Sequence, residues 1–85
     1  MTEDDTKAIA CIKRYSGLKD VCRVSIFEGT NPETKEKVMI KVYDHGMEAG
    51  DDRYWIEAEN KTSRAISQNF RRMDDALEFL DWEKL

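Results

Sequence analysis

His45 is the only histidine in this chain of 85 residues, and an acidic loop sequence follows it. Glu48, Asp51 and Asp52 lie within seven positions of the imidazole. Imidazole and carboxylate groups bind metal ions and transfer protons in catalysis. However, Gly, Asp and Glu are also ordinary loop residues, and no nucleophile is spaced to act with His45. We therefore interpret this segment as a solvated loop, and we predict no catalytic residue, no metal site and no cofactor.

Cys11 and Cys22 are the only cysteines. Two cysteines are too few for a disulfide framework, and their spacing is not the Cys-x-x-Cys of zinc or redox sites. The chain begins with an acidic segment, the reverse of an export signal, and has no apolar run of membrane-spanning length. We therefore expect a cytoplasmic protein in which both cysteines are small buried apolar residues.

The negative charge is concentrated at one end of the chain. Lys and Arg number 14 against 18 Asp and Glu, which gives a net charge of −4. The last 13 residues contain five acids and one base, so they account for the whole excess. The acidic net charge argues against a general phosphate-binding protein, because neutralisation of phosphates drives such binding. The rest of the chain is neutral overall and can still carry a local basic face.

Three segments alternate apolar and polar residues and are rich in β-branched and aromatic types. This pattern is typical of strands with one buried face in an antiparallel sheet. These predicted strands are residues 21–27, 37–43 and 54–59, and a weaker fourth covers 64–68. Asn60-Lys61 is short enough to close a hairpin between the last two strands.

The C-terminal region changes to helical spacing. Met73, Ala76, Leu77 and Leu80 fall at positions i, i+3, i+4 and i+7, which is one face of an α-helix. Acidic residues occupy the first turn, where the helix dipole favours negative charge. The spacing therefore predicts a helix over residues 73–82.

Residues 3–16 fit two structures. A helical stripe is formed by Ala8, Cys11, Ile12 and Tyr15. Gly17 is a natural helix end, and the acids and bases at the two ends match a helix dipole. Yet residues 8–12 are also a continuous apolar run, and periodicity cannot distinguish a short buried strand from a helix. The isoleucine, cysteine and tyrosine residues favour a strand slightly, so both structures stay open.

Together the segments predict a single small α+β domain over residues 1–85. It is a four- or five-stranded antiparallel β-meander with a C-terminal α-helix packed on one face. Alternation assigns the inner face, towards that helix, to Cys22, Val24, Ile26, Val38, Ile40, Val42, Tyr54, Ile56, Ala58 and Ala65.

The opposite sheet face combines aromatic and basic residues. Alternation assigns to it Phe27, Met39, Tyr43, Trp55 and Ile66, with Arg23, Lys37, Lys41, Arg53 and Arg64. Glu57 and Glu59 oppose these bases, which leaves +3 on this face. If residues 3–16 form a strand, no helix remains to cover it. The candidate interface therefore consists of Phe27, Met39, Tyr43, Trp55, Arg23, Lys41 and Arg53.

We expect a small non-enzymatic protein that associates with itself or with a protein partner through this aromatic face or an open sheet edge. Aromatic residues, Met and Arg are enriched in protein interfaces, and a symmetric homodimer is the commonest closed assembly. The alternative is a nucleic-acid-binding module, because aromatic rings among bases suit base stacking and phosphate contact.

Overall fold

The computed structural model describes residues 3–85 of the chain. Its elements, in order, are helix α1 (Glu3–Ser16), strands β1 (Arg23–Thr30), β2 (Lys37–Asp44), β3 (Tyr54–Glu59) and β4 (Arg64–Ile66), and helix α2 (Met73–Phe79). Short 3₁₀ turns cover Met47–Asp52 and Trp82–Lys84. The four strands form one antiparallel sheet in the order β1-β2-β3-β4. The predicted α+β meander with a C-terminal helix is confirmed.

Residues 3–16 form a helix and not the slightly favoured strand. Lys13 and Arg14 occupy the last turn, where positive charge suits the helix dipole. Gly17 ends the helix with a φ of 72°, and its N–H donates to the Lys13 carbonyl oxygen at 3.1 Å. The apolar run of residues 8–12 is helical and packs weakly. Ile9 is buried near the Gly46 backbone, whereas Ile12 is exposed.

None of the helices within residues 3–85 is both long and apolar enough to span a membrane.

The core lies between α2 and one face of the sheet, which we call the inner face. Its buried members are Val38, Val42, Tyr54, Ile56, Ala58, Ala65, Ala76 and Leu80. Ala58 and Ala76 are completely buried, and these small side chains let the helix approach β3 closely. The predicted packing of β2, β3 and β4 against the C-terminal helix is confirmed. The other half is open: Phe27 on β1 also belongs to the inner face and is 55% exposed.

The faces of β1 are opposite to those predicted. Val24 lies opposite Tyr43 and Ile26 opposite Lys41, so both side chains share the face away from α2. Phe27 lies opposite Ile40 on the inner face. The prediction was wrong because β1 carries apolar residues on both faces, and a shift of one residue reverses the assignment of a whole strand.

The hairpin loops are tied to the last residue of the chain. The side-chain amides of Asn31 and Asn60 donate to the main-chain oxygen of Leu85 at 3.1 Å and 3.2 Å. Leu85 is partly buried against the core. These bonds hold the C-terminal turn beneath the β1–β2 and β3–β4 loops, where Trp82 and Leu85 line a groove with Val38 and Ile40.

Replacement of a core isoleucine tests this division between covered and uncovered positions. Ile56 is completely buried, so Ile56→Ala should reduce the free energy of unfolding by about 2–5 kcal/mol through lost burial and a residual cavity. Ile26 is 58% exposed, so Ile26→Ala should cost less than about 1 kcal/mol. Urea unfolding of the two variants measures both changes, and equal losses would contradict the assignment of the faces.

Candidate interaction surface

The sheet face opposite α2, which we call the outer face, is covered by no described element. Its most exposed apolar side chains are Val24, Ile26 and Ile66, at 44%, 58% and 54% exposure. The strand register adds Glu28, Lys37, Met39, Lys41, Tyr43, Trp55, Glu57, Glu59 and Arg64. Val24 and Ile26 form an exposed apolar patch on β1, whereas Lys41 and Glu57 lie between Ile26 and Ile66 across the sheet. Exposed apolar patches are typical of interaction sites.

Two aromatic rings are stacked on each other at one end of the outer face. Tyr43 and Trp55 are opposite each other on β2 and β3, with ring centroids 3.8 Å apart and planes 1° from parallel. The Trp55 Nε1–H donates to His45 Nε2 at 3.1 Å. His45 Nε2 accepts this hydrogen bond, which ties the loop after β2 to the Trp55 ring. This bond fixes the Trp55 ring, so the aromatic pair is a rigid part of the surface.

His45 therefore has a structural contact where the sequence allowed a metal or acid–base site. Within residues 3–85, no group of three or more His, Cys, Asp or Glu side chains is arranged to hold a metal ion.

The bases on the outer face are neutralised by neighbouring acids. Arg64 Nη2 lies 2.7 Å from Glu57 Oε2, and Lys41 Nζ lies 3.9 Å from Glu57 Oε1. Lys37 donates to Glu28 at 2.6 Å, and this hydrogen bond, followed by the charge of Glu28, raises the pKa of Lys37. The face has three bases and, with Glu59, three acids. The expected +3 is therefore wrong, because it counted two arginines that lie elsewhere, Arg23 and Arg53, and omitted Glu28.

The structure brings together four of the seven residues in the predicted interface. Met39, Lys41, Tyr43 and Trp55 share the outer face, as the sequence predicts. The remaining three residues, Phe27, Arg23 and Arg53, are elsewhere. Phe27 and Arg23 lie on the inner face of β1, because that strand has the opposite alternation to the one expected.

Arg53 precedes β3 and forms a buried ion pair at the end of the sheet. Its Nε donates to Asp44 Oδ1 at 2.7 Å, and its Nη2 donates to Asp44 Oδ2 at 3.1 Å. The Gly46 N–H donates to the same Oδ1 at 2.9 Å, and Asp44 is completely buried. The pair joins the end of β2 to the start of β3 and closes the loop that carries His45. Arg53 is thus a structural residue beside the aromatic pair.

The environment lowers the pKa of Asp44 below its ordinary value. Burial alone would raise this pKa, because it disfavours the charged carboxylate. The hydrogen bonds from Arg53 and from the Gly46 N–H, together with the charge of Arg53, outweigh burial. Asp44 is therefore held as a carboxylate, and the bidentate contact is a charge-assisted one.

The two cysteines differ from each other and from the prediction that both are buried. Cys11 is exposed on α1, and Cys22 is partly buried just before β1. Burial, followed by the negative charge of Asp44, raises the pKa of the Cys22 thiol. Cys11 was misassigned because the helical stripe to which it belongs is mostly uncovered.

Val24 and Ile26 are the outer-face residues that the sequence interpretation assigned to the inner face. The signal that would have located them is the β1–β2 loop. Asn31 faces Glu36, with its N–H donating to the Glu36 carbonyl oxygen at 2.9 Å. Counting back along both strands from this pair puts Val24 opposite Tyr43 and therefore on the outer face.

No protein-family model matches the chain, and neither a curated protein nor a solved structure shows detectable similarity to it.

Removal of the buried carboxylate should destabilise the fold strongly. Asp44→Asn removes the negative charge that the largely buried Arg53 guanidinium contacts at 2.7 Å, which should cost about 3–5 kcal/mol in the free energy of unfolding. Asp51→Asn is the matched control, because Asp51 pairs with Arg71 at 2.8 Å on the exposed surface. That change should cost less than about 1 kcal/mol. Chemical denaturation of both variants gives the comparison, and similar losses would contradict a special role for the buried pair.

The same variant tests the direction of the Asp44 pKa shift. Because this pKa is lower in the folded chain than in the unfolded chain, Asp44 contributes stability that is fully present above the unfolded value of about 3.9. The contribution is lost as the pH falls through the folded pKa. The stability difference between wild type and Asp44→Asn should be constant from about pH 7 to about pH 5 and should shrink towards pH 3. A difference that grows below about pH 4 would contradict the lowered pKa.

Proposed function

We propose that the protein acts by binding other polypeptide chains through the outer face and the free edge of β1, rather than by catalysis. A second copy of the chain is the first such partner, in a symmetric homodimer. The observation that carries this proposal is the exposure of Val24, Ile26 and Ile66 on a sheet face that no described element covers. Burial of these side chains against another chain would remove apolar surface from water.

The composition of the outer face supports a protein partner. Protein interfaces combine an apolar centre, rich in aromatic residues and Met, with a polar rim. Tyr43, Trp55 and Met39 are only partly exposed and lie on the central strands, β2 and β3. Because the charges on this face are already paired within the chain, a partner need not supply counter-ions.

Nucleic-acid binding, the alternative, is less well supported. Phosphate contacts require cations that the protein does not already neutralise. Lys41 and Arg64 contact Glu57, and Arg53 contacts the buried Asp44. Labelled single- and double-stranded oligonucleotides, followed by fluorescence anisotropy at low salt, separate the two functions. We expect no binding at about 100 µM protein; micromolar binding that weakens steeply with salt would favour the alternative.

A cytoplasmic location is part of the proposal. Both cysteines are free, and unpaired thiols suit a reducing compartment.

Replacement of two exposed residues on β1 tests the proposed surface. Val24→Ser combined with Ile26→Ser removes apolar side chains that contribute to the outer face and flank the free edge. Self-association should weaken by about tenfold or more, because about 1.4 kcal/mol of apolar burial corresponds to that factor. Sedimentation equilibrium measures the change. Raising NaCl from about 0.05 M to about 0.5 M should change the wild-type dissociation constant by less than about threefold, since ion pairs do not drive this contact.

Ile12→Ser is the matched control, because Ile12 on α1 is 46% exposed and lies away from the sheet. This variant should associate like the wild type. Wild-type protein that stays at 10.0 kDa at every concentration would contradict the proposed function. Equal weakening by the control and by the sheet variant would contradict the assignment to the outer face.

A further inference from the structure

Within residues 3–85, one edge of β1 pairs with no other strand and presents a regular row of backbone groups. β1 pairs with β2 along its other edge over Arg23–Thr30, without a bulge. Bonded and unbonded positions alternate in an antiparallel ladder. The bond between the Asn31 N–H and the Glu36 carbonyl oxygen, in the same register, assigns the odd-numbered residues to the β2 side. The residues whose N–H and C=O groups point outward are therefore Val24, Ile26, Glu28 and Thr30.

β1 lacks four common protections of an edge strand. Proteins protect exposed edges with proline, bulges, very short strands or many charges. β1 is eight residues long, contains no proline, and has Arg23 and Glu28 as its only charged residues.

The opposite edge of the sheet differs on each of these points. β4 covers only Arg64–Ile66. The pairing then shifts by one residue, because Ser67 bonds to Ile56 whereas Phe70 bonds to Tyr54. The Ser67 hydroxyl oxygen accepts the Ile56 N–H in place of a backbone group. This short and interrupted edge is a poor template for another strand, so β1 is the edge open to pairing.

The chemistry of this edge specifies its partner. The outward N–H and C=O groups require an extended polypeptide segment. Val24 and Ile26 on the outer face and Phe27 on the inner face are all exposed, so the added strand must be apolar on both faces. β1 itself has this composition. Arg23 and Glu28 lie towards opposite ends of β1. In an antiparallel pair, the end of each strand that carries Arg23 therefore lies beside the end of the other strand that carries Glu28, and no like charges lie directly opposite each other.

We propose that β1 pairs with β1 of a second copy in antiparallel orientation, which joins two sheets into one of eight strands. This inference rests on the proposed function and names the partner at the edge. The register that uses every outward residue is centred on Phe27, which then lies opposite the partner's Phe27. Ile26 bonds to the partner's Glu28, and Val24 bonds to the partner's Thr30.

This register satisfies the outward backbone groups of β1 and brings the two Phe27 side chains together. It forms about eight hydrogen bonds between the chains, within the range of stable protein interfaces. The two Phe27 rings meet on the inner face at a position without backbone bonds, where side chains approach most closely. On the outer face, Ile26 then lies between Lys41 and the partner's Glu28, and Val24 lies between Tyr43 and the partner's Thr30, so both side chains move from a sheet edge to the middle of the joined sheet.

Proline at an outward position tests the pairing. The Glu28 N–H bonds to no group in β2, so Glu28→Pro removes only the outward donor, and proline is tolerated on edge strands. Glu28→Ala is the matched control, because both changes remove the contact with Lys37. In sedimentation equilibrium from about 10 to 500 µM, the mass of wild type and Glu28→Ala should rise from 10.0 kDa towards twice that value. Glu28→Pro should associate at least about tenfold more weakly.

A cross-linking experiment tests the register without proline. In a chain with Cys11→Ser and Cys22→Ser, Phe27→Cys should form a covalent dimer on mild oxidation. Opposite residues at such positions have Cα atoms about 4.5 Å apart, within the range of a disulfide. Ser25→Cys is the control. It lies about 14 Å from the partner's equivalent residue in this register and should not cross-link.

The outcomes separate this inference from the proposed function. Loss of association with Glu28→Pro, together with cross-linking of Phe27→Cys alone, supports pairing of β1. A second result is that Val24→Ser/Ile26→Ser weakens association, Glu28→Pro does not, and Phe27→Cys shows no selective cross-linking. That result overturns the pairing and leaves the outer face as the binding surface. A wild-type chain that is monomeric throughout overturns both.

Discussion

A sheet has two faces, and this chain provides too little helix to cover them. A helix about 10 Å wide covers about two strands spaced 4.8 Å apart. α2 has seven residues and packs on β3, so the β1 side of the inner face stays open. Ile9 of α1 is buried near Gly46, in the loop that follows β2. The exposure of Phe27 on one face, and of Val24 and Ile26 on the other, follows from this shortage of covering structure.

The buried ion pair of Asp44 and Arg53 positions the aromatic residues of the outer face. By joining β2 to β3 at the end of the sheet, it keeps Tyr43 and Trp55 directly opposite each other. His45 follows Asp44 in the chain and accepts the Trp55 N–H. A structural ion pair therefore holds a rigid aromatic pair on the proposed binding surface.

The sequence predicts the elements of this fold better than their faces. The strands and α2 were predictable because alternation and helical spacing report burial within a single element. The faces of β1 were not predictable, because neither face of this strand is covered and the apolar residues Val24 and Phe27 lie on opposite faces. α1 was ambiguous because an apolar run is shared by short helices and buried strands. Alternation predicted that four residues share the outer face: Met39, Lys41, Tyr43 and Trp55. It could not predict the ion pair of Arg53 with Asp44, which depends on the conformation of the loop between them.

Amide hydrogen exchange along β1, measured at two protein concentrations, tests most directly whether another chain completes the sheet. In a dilute sample, the Ile26 and Glu28 amides should exchange quickly, because they point to solvent, while the Ser25 and Phe27 amides are protected by bonds to β2. In a concentrated sample, exchange at Ile26 and Glu28 should slow by at least about tenfold, with little change at Ser25 and Phe27. Exchange at Ile26 and Glu28 that is equally fast at both concentrations would contradict the account.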